Sequence, residues 1–298
     1  MPDSAFAATE DQFRQLAGSS HENRVELELY TFTEIPRTER ITALIQARYR
    51  SVDALWAHPP EAMIVTGTEP VRPRLCEEPY WPHLARLLEW AADSVPTTML
   101  SCLAAHAFTL LFDDLERTPR ESKCSGVFAG AVSAGHPLVN GLPELVSIPH
   151  SRFNEVAEAD LVLAGYEIAI SSGPSPVGWS VATCRRGAGD FVLCQGHPEY
   201  ETLSLLREYR RDVRRSLFSD GKRPYPRVPE GYLPAEAEAM LEAFAQRAPV
   251  VDLGPDELWQ QFPYDEVARC IRNTWAETAA VLYRNWLDRA GVALPLAA

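Results

Sequence analysis

A histidine and a carboxylate stand two residues apart in Gln195-Gly196-His197-Pro198-Glu199, directly after the apolar run Asp190-Phe191-Val192-Leu193-Cys194. This pattern reads as a buried strand with a general base, and the acid that orients it, at its mouth. The missing partner is a nucleophile. Upstream, Thr97-Thr98-Met99-Leu100-Ser101-Cys102-Leu103-Ala104-Ala105-His106 supplies a β-prone run, a cysteine and then small helix formers that let a tight strand-to-helix turn close. Cysteine, histidine and glutamate in that order point to acyl transfer through a thiol. A cysteine at a helix N-terminus near a histidine has the lowered pKa that such chemistry needs. Cys184 and Cys194, inside apolar runs, read instead as small core residues. His106, one helical turn past Cys102, reads as a packing residue of that helix rather than the base.

Positioning these residues requires strands that deliver them to a common edge. Short β-rich runs alternate with helix-period segments, the pattern of an α/β fold with a mainly parallel sheet covered by helices on both faces. The expected strands are Val25 to Phe32, Ala62 to Gly67, Thr97 to Cys102, Gly126 to Val132, Leu145 to Pro149, Tyr166 to Ser171, Trp179 to Cys184 and Phe191 to Gln195. Helices are expected at Ala7 to Leu16, Trp81 to Ala92, Leu103 to Phe112, Thr202 to Leu217, Ala235 to Ala245 and Tyr264 to Leu287. In the fourth of these, Leu203, Leu206, Tyr209, Val213 and Leu217 keep one face apolar, and five arginines lie largely off it. The proline-rich stretch 223–229 reads as an extended connector, dividing a core at 1–222 from a C-terminal helical extension at 223–298 packed on it.

Composition narrows the function classes. With 28 basic against 41 acidic residues and a net charge of −13, non-specific binding to nucleic acid or an anionic membrane is disfavoured. The longest apolar run, Met99 to Phe112, is too short to span a bilayer. No charged-then-apolar leader pattern opens the chain. The six cysteines have no paired metal-ligand spacing and are sparse for a stapled secreted protein, so the expectation is a cytoplasmic protein without a metal or bound cofactor. A homodimer is compatible with the sequence, which does not decide the oligomeric state.

Several motifs, each weak alone, carry a family resemblance through their order and spacing. They are Met1-Pro2-Asp3 with Glu10-Asp11-Gln12-Phe13, Ile64-Val65-Thr66-Gly67, Tyr80-Trp81-Pro82, Cys102, Lys123-Cys124-Ser125-Gly126-Val127-Phe128, Pro149-His150-Ser151-Arg152, Gly196-His197-Pro198-Glu199-Tyr200, Arg211-Asp212, Asn273-Thr274-Trp275 and Asn285-Trp286-Leu287. The chain resembles the homoserine O-succinyltransferase family of methionine biosynthesis, whose fold is similar to that of class I glutamine amidotransferases (flavodoxin-like). The resemblance implies a double displacement: Cys102 takes the acyl group from an acyl-coenzyme A co-substrate and passes it to the homoserine hydroxyl. His197 would be the base and Glu199 its orienting partner, with oxyanion donors from the Leu103 amide and the loop after Gly67. Lys123, Ser151 and Arg211 match family positions that contact substrate.

Two departures qualify the resemblance. The family has a strand just before the segment matched by Met1-Pro2-Asp3, which implies a start upstream of Met1, because an absent strand would expose a neighbour's backbone groups. The family position that discriminates acetyl (glutamate) from succinyl (glycine) donors is Val71 here. Charge then favours a succinyl donor: Val71 does not repel its carboxylate, and Arg72 and Arg74 in the same loop are the expected cations, with Glu69 able to neutralise one of them. Acetyl transfer, serine as acceptor and a non-catalytic binding protein remain alternatives. A glutamine amidotransferase would share the triad, yet it predicts Gly-x-Cys-x-Gly where Leu100 and Ala104 stand, and it leaves His150-Ser151-Arg152 without a role.

Overall fold

The computed structural model describes residues 6–20, 25–173, 177–219, 221–247 and 254–289; Met1-Pro2-Asp3 and anything upstream of it lie outside them. In chain order the elements are α1 (Phe6–Ser20), β1 (Tyr30–Thr31), α2 (Glu39–Arg48), β2 (Arg50–Ser51), β3 (Ala62–Val65), α3 (Trp81–Ser94), β4 (Thr97–Ser101), α4 (Leu103–Asp113), β5 (Thr118–Val132) and β6 (Leu145–Glu155). Then follow α5 (Glu158–Leu163), β7 (Glu167–Ser171), β8 (Trp179–Arg186), β9 (Gly189–Cys194), α6 (Ser204–Leu217), α7 (Ala235–Arg247), α8 (Pro255–Gln260), α9 (Tyr264–Cys270) and α10 (Ala276–Arg289).

β3 to β9 form one sheet in the order β3-β4-β9-β8-β7-β5-β6. The α/β class is as expected, but the sheet is mixed. Parallel pairing is confined to β3-β4 and β4-β9, and the four pairs beyond β9 are antiparallel. The reason is local: β8 and β9 are joined by a two-residue turn at Gly187-Ala188, and a hairpin that short can only reverse the chain. The parallel strands carry the chemistry-bearing ends.

β4 is buried along its whole length, and its side chains alternate between two cores. Leu100 packs with α3 and α4 through Leu84, Leu88, Ala104 and Phe108. Met99 faces the opposite layer, where α1 and α10 contribute Phe13, Leu282, Tyr283 and Trp286. A third cluster joins α6 to α7, α8 and α9 through Leu206, Tyr209, Leu241, Phe244, Leu258 and Trp275.

Several expectations are corrected in detail. The strand read over Val25 to Phe32 shortens to Tyr30–Thr31, paired with Arg50–Ser51 rather than with the main sheet. A cavity of about 670 Å³ lies between that segment and the free edge of β3. The helix read as continuous from Tyr264 to Leu287 is two helices, α9 and α10. The Asn273 side chain accepts the Trp275 amide (3.1 Å), offering the backbone a turn in place of helix. β5 and β6 run further than their apolar cores, because an antiparallel ladder tolerates polar residues on an exposed face. Among the described residues, no helix is long and apolar enough to cross a membrane, and all six cysteines are free thiols.

The break between α9 and α10 delivers a fully buried Trp275, whose indole Nε1–H donates to the Tyr200 carbonyl at 2.7 Å. Trp275→Ala should therefore cost about 3–5 kcal/mol of stability, the usual range for an emptied aromatic site. Urea denaturation of the variant against wild type checks this; a loss below about 1 kcal/mol would mean that the Trp275 site relaxes.

Candidate active site

Cys102 occupies the turn between β4 and α4 with φ 50° and ψ −103°, a conformation that side chains rarely adopt. Its amide donates to the Cys194 carbonyl at 2.7 Å, and its carbonyl accepts from His106 N–H at 3.2 Å as the helix begins. Gly67 closes the floor of this elbow. A Cβ there would lie 3.0 Å from the Ser101 carbonyl and 3.1 Å from the Leu103 amide, so only glycine leaves that N–H uncovered.

The end of β9 supplies the partner groups. Gln195 and Gly196 both donate backbone N–H groups to the Ser180 carbonyl, and His197 N–H donates to Pro149 O at 2.7 Å. A side chain at Gly196 would collide with Ile148 and crowd His150. The His197 ring is thereby delivered to Glu199, with Nδ1 2.8 Å from Oε1. The same Oε1 accepts the Ser101 hydroxyl at 2.7 Å, and Tyr200 stacks on the imidazole with ring centres 4.2 Å apart. Burial works against a charge on His197. The Glu199 carboxylate and the Cys102 sulfur outweigh it and hold its pKa well above the usual histidine range.

His106 is no competitor for the role of base. It is buried, its Nε2 meets Gln195 Oε1 at 3.1 Å, and burial pushes its pKa down to about 3. Cys194 is a core residue whose thiol burial pushes up, and burial also raises Cys184 to about 12.

Lys123, Ser151 and Arg211 come together as expected, through an acidic residue that the sequence reading missed. Glu208 accepts from Lys123 Nζ (3.1 Å), from the Ser151 hydroxyl and from the Tyr200 hydroxyl (2.6 Å), and Arg211 lies 3.9 Å away. Asp212 completes the cluster, accepting from Lys123 Nζ at 2.8 Å and from Arg211 Nε at 3.1 Å. Ser151 faces Ser125 across the β5-β6 ladder with Lys123 two residues further along the same face, so it is a strand residue and not a turn cap. The signal for Glu208 was its spacing: Arg211 and Asp212 follow at three and four residues, on one helix face.

The loop after Gly67 is less engaged than expected. Val71 is 78% exposed. The buried Glu78 carboxylate fixes the loop, its Oε1 accepting the Val71 and Arg72 amides at 2.6 Å each. Arg74 is bound to Glu116 on the surface, and Glu69 pairs with Arg215 of α6 rather than with either loop arginine.

An α/β fold that presents cysteine, histidine and glutamate at adjoining strand ends has the architecture of enzymes that transfer acyl groups through a thiol. The chain belongs to the homoserine O-succinyltransferase family, whose sequence model matches residues 1–292. It is 41% identical over 299 residues to the homoserine O-succinyltransferase of Methylorubrum extorquens, covering all of this chain and 87% of that one. To its namesake in Thiothrix nivea it is 36% identical over 295 residues, covering 97% and 79%. Solved structures similar to it include a glutamine amidotransferase from Thermotoga maritima (TM-score 0.45, 11% identity, covering 91% of this chain and all of that one). Another is a glutamine amidotransferase from Methylobacillus flagellatus (TM-score 0.46, 12% identity, covering 88% and 94%).

Lys123 and Arg211, outweighing the cost of burial, hold the Glu208 carboxyl at about 2 against its ordinary 4.5. A depressed pKa means stability fully present above about 4.5 and lost as pH falls towards about 2. The stability difference between wild type and Glu208→Gln should therefore shrink on acidification through that window, as followed by thermal melting in pH steps. A difference independent of pH would remove the ionised Glu208 from the account.

Proposed function

We propose that the chain is a homoserine O-succinyltransferase working by double displacement through an acyl-Cys102 intermediate. The observation that carries the reading is the elbow at Cys102, whose sulfur interacts electrostatically with a His197 that Glu199 orients. In the first half-reaction the Cys102 thiolate attacks the thioester carbonyl of the acyl-coenzyme A. The leaving coenzyme A thiolate takes its proton from the His197 imidazolium, leaving the acyl group on sulfur. In the second, His197 accepts the proton of the homoserine hydroxyl as its oxygen attacks the acyl-cysteine carbonyl, and the Cys102 thiolate is released. Leu103 N–H, beside Gly67, is an oxyanion donor at both steps, and Glu199 stabilises the imidazolium present before the first and re-formed in the second.

The acceptor half rests on charge. Lys123 and Arg211 against Glu208 and Asp212 make a balanced set of two cations and two carboxylates. A zwitterionic amino acid brings one charge of each sign and exchanges partners within such a set without leaving a bare ion. Arg211 is the group for its carboxylate, and Glu208, shared with Tyr200 over the His197 ring, the group for its ammonium. The donor is succinyl-coenzyme A, supported by family membership and by the absence of a repelling carboxylate at Val71. Cytoplasmic location accords with a biosynthetic enzyme of free thiols.

The test is incubation with succinyl-coenzyme A without acceptor, then peptide mass analysis. One succinyl mass on the Cys102 peptide is expected, and Cys102→Ala should lose both label and turnover. Label on Cys124 or Cys194 would sink the assignment. An enzyme that prefers acetyl-coenzyme A by kcat/KM would replace the donor, leaving the double displacement in place.

A companion measurement separates base from orienter. His197→Ala should lose on the order of a hundred- to ten-thousand-fold in kcat, the range of general-base catalysis. Glu199→Gln should fold normally and lose activity as well; full turnover in either variant removes that residue from the mechanism.

A further inference from the structure

The succinyl group ends in a carboxylate, which needs a cation once it leaves water. The cations around Cys102 are mostly committed. Lys123 and Arg211 serve Glu208 and Asp212, Arg215 serves Glu69, Arg120 serves Glu155 and Arg74 serves Glu116. Arg152 also interacts electrostatically with Cys102, but it is a buried residue of β6, donating to the Val177 carbonyl with Glu155 3.8 Å away. Arg72 is exposed on the loop.

Arg117 differs from all of these. It follows the end of α4 and reaches back beneath the loop after Gly67, where one terminal nitrogen makes long contacts with the Arg72 and Pro73 carbonyls at 3.4 and 3.3 Å. Its Nε, like those of Arg120 and Arg152, is buried without a hydrogen-bond partner, but among the described residues no carboxylate lies within ion-pair distance of it. It interacts electrostatically with Cys102, with Tyr80 and with Glu78. The Glu78 oxygen nearest the loop is already occupied by two backbone amides. The Tyr80 hydroxyl is a second buried donor without a partner, and Tyr80 lines the same cavity as Leu103, the residue after the nucleophile. Both are donors that an anionic ligand would satisfy.

We propose that Arg117, with the Tyr80 hydroxyl beside it, anchors the distal carboxylate of the acyl group and sets the donor preference. The assignment rests on the succinyl-donor reading above. It moves the specificity cation from the exposed loop arginines to a guanidinium beneath the loop, and it gives Glu78 a role as the residue that holds the loop over that guanidinium.

The experiment compares kcat/KM for succinyl- and acetyl-coenzyme A in wild type, Arg117→Ala, Arg117→Gln, Tyr80→Phe, Arg72→Ala and Arg74→Ala. Arg117→Gln retains a donor for the Arg72 and Pro73 carbonyls, so it reports on charge even if alanine unseats the loop. The succinyl-to-acetyl ratio should fall about 10- to 150-fold in both Arg117 variants, the effect of losing a hydrogen bond to a charged group, and by a smaller factor in Tyr80→Phe. A succinyl-preferring wild type whose ratio is unmoved in Arg117→Gln overturns the anchor and leaves the donor reading intact. A selective fall in Arg72→Ala or Arg74→Ala returns the role to the loop and overturns it too. A wild type that prefers acetyl-coenzyme A overturns the donor reading itself, and the anchor with it.

Discussion

The site depends on one strained residue. Cys102 at φ 50° leaves β4 and starts α4 in a single step, which lifts the thiol out of the strand's hydrogen-bonding plane while its amide stays bound to the Cys194 carbonyl. Backbone strain of this kind costs on the order of 1–3 kcal/mol and persists only where surroundings over-determine it. Here they do. β4 is buried on both faces, α4 packs Ala104, Ala105 and Phe108 into the core without exposure, and a side chain at Gly67 would crowd the turn. The parallel register that pairs Ser101 with Cys194 then sets the distance between the two catalytic segments, because the residues following each partner leave the sheet together. Cys102 and Gln195 to Glu199 are neighbours for that reason, although far apart in sequence.

From this point the polar network runs outward as one chain of contacts. Ser101, the last residue of β4, donates to the Glu199 oxygen that also meets His197. The strand that strains the nucleophile therefore also fixes the acid that orients the base. Tyr200 continues the chain, stacking on the imidazole with its ring and donating its hydroxyl to Glu208. Its carbonyl accepts from Trp275, which seats the C-terminal helices against the same residue. Tyr200 thus joins the His197–Glu199 pair to the Glu208 cluster, and the helices after residue 223 do more than cover apolar surface.

What was legible in the sequence follows from the range of the forces involved. β4, β9 and α4 were read nearly to the residue, since a buried strand and a small-residue helix declare themselves by local pattern. Cys102, His197 and Glu199 stand out in the sequence for the same reason, each lying at or just past the end of such a run. Glu208 was not: on a helix crowded with arginines it looks like one more solvated charge. Its role exists only because β5 and β6 bring Lys123 and Ser151 to the same place. The mixed sheet was missed because parallel and antiparallel strands share a composition when both faces are covered, and only the short β8-β9 turn tells them apart. The break at Asn273 was a side-chain competition with the helix, visible as a residue type but without the partner that decides it.

Charge distribution ties the two ends of the site together. The chain carries a net charge of −13, yet it gathers arginines and a lysine around Cys102. On the acceptor side these cations are matched one for one by Glu208 and Asp212, which leaves a surface that neither attracts nor repels a lone anion. On the donor side the match fails at Arg117, whose nearest carboxylate is turned to the loop amides instead. In the proposed reading a neutral set suits an amino acid and an uncompensated cation suits an anionic acyl tail, so electrostatics would sort the two substrates between the two groups.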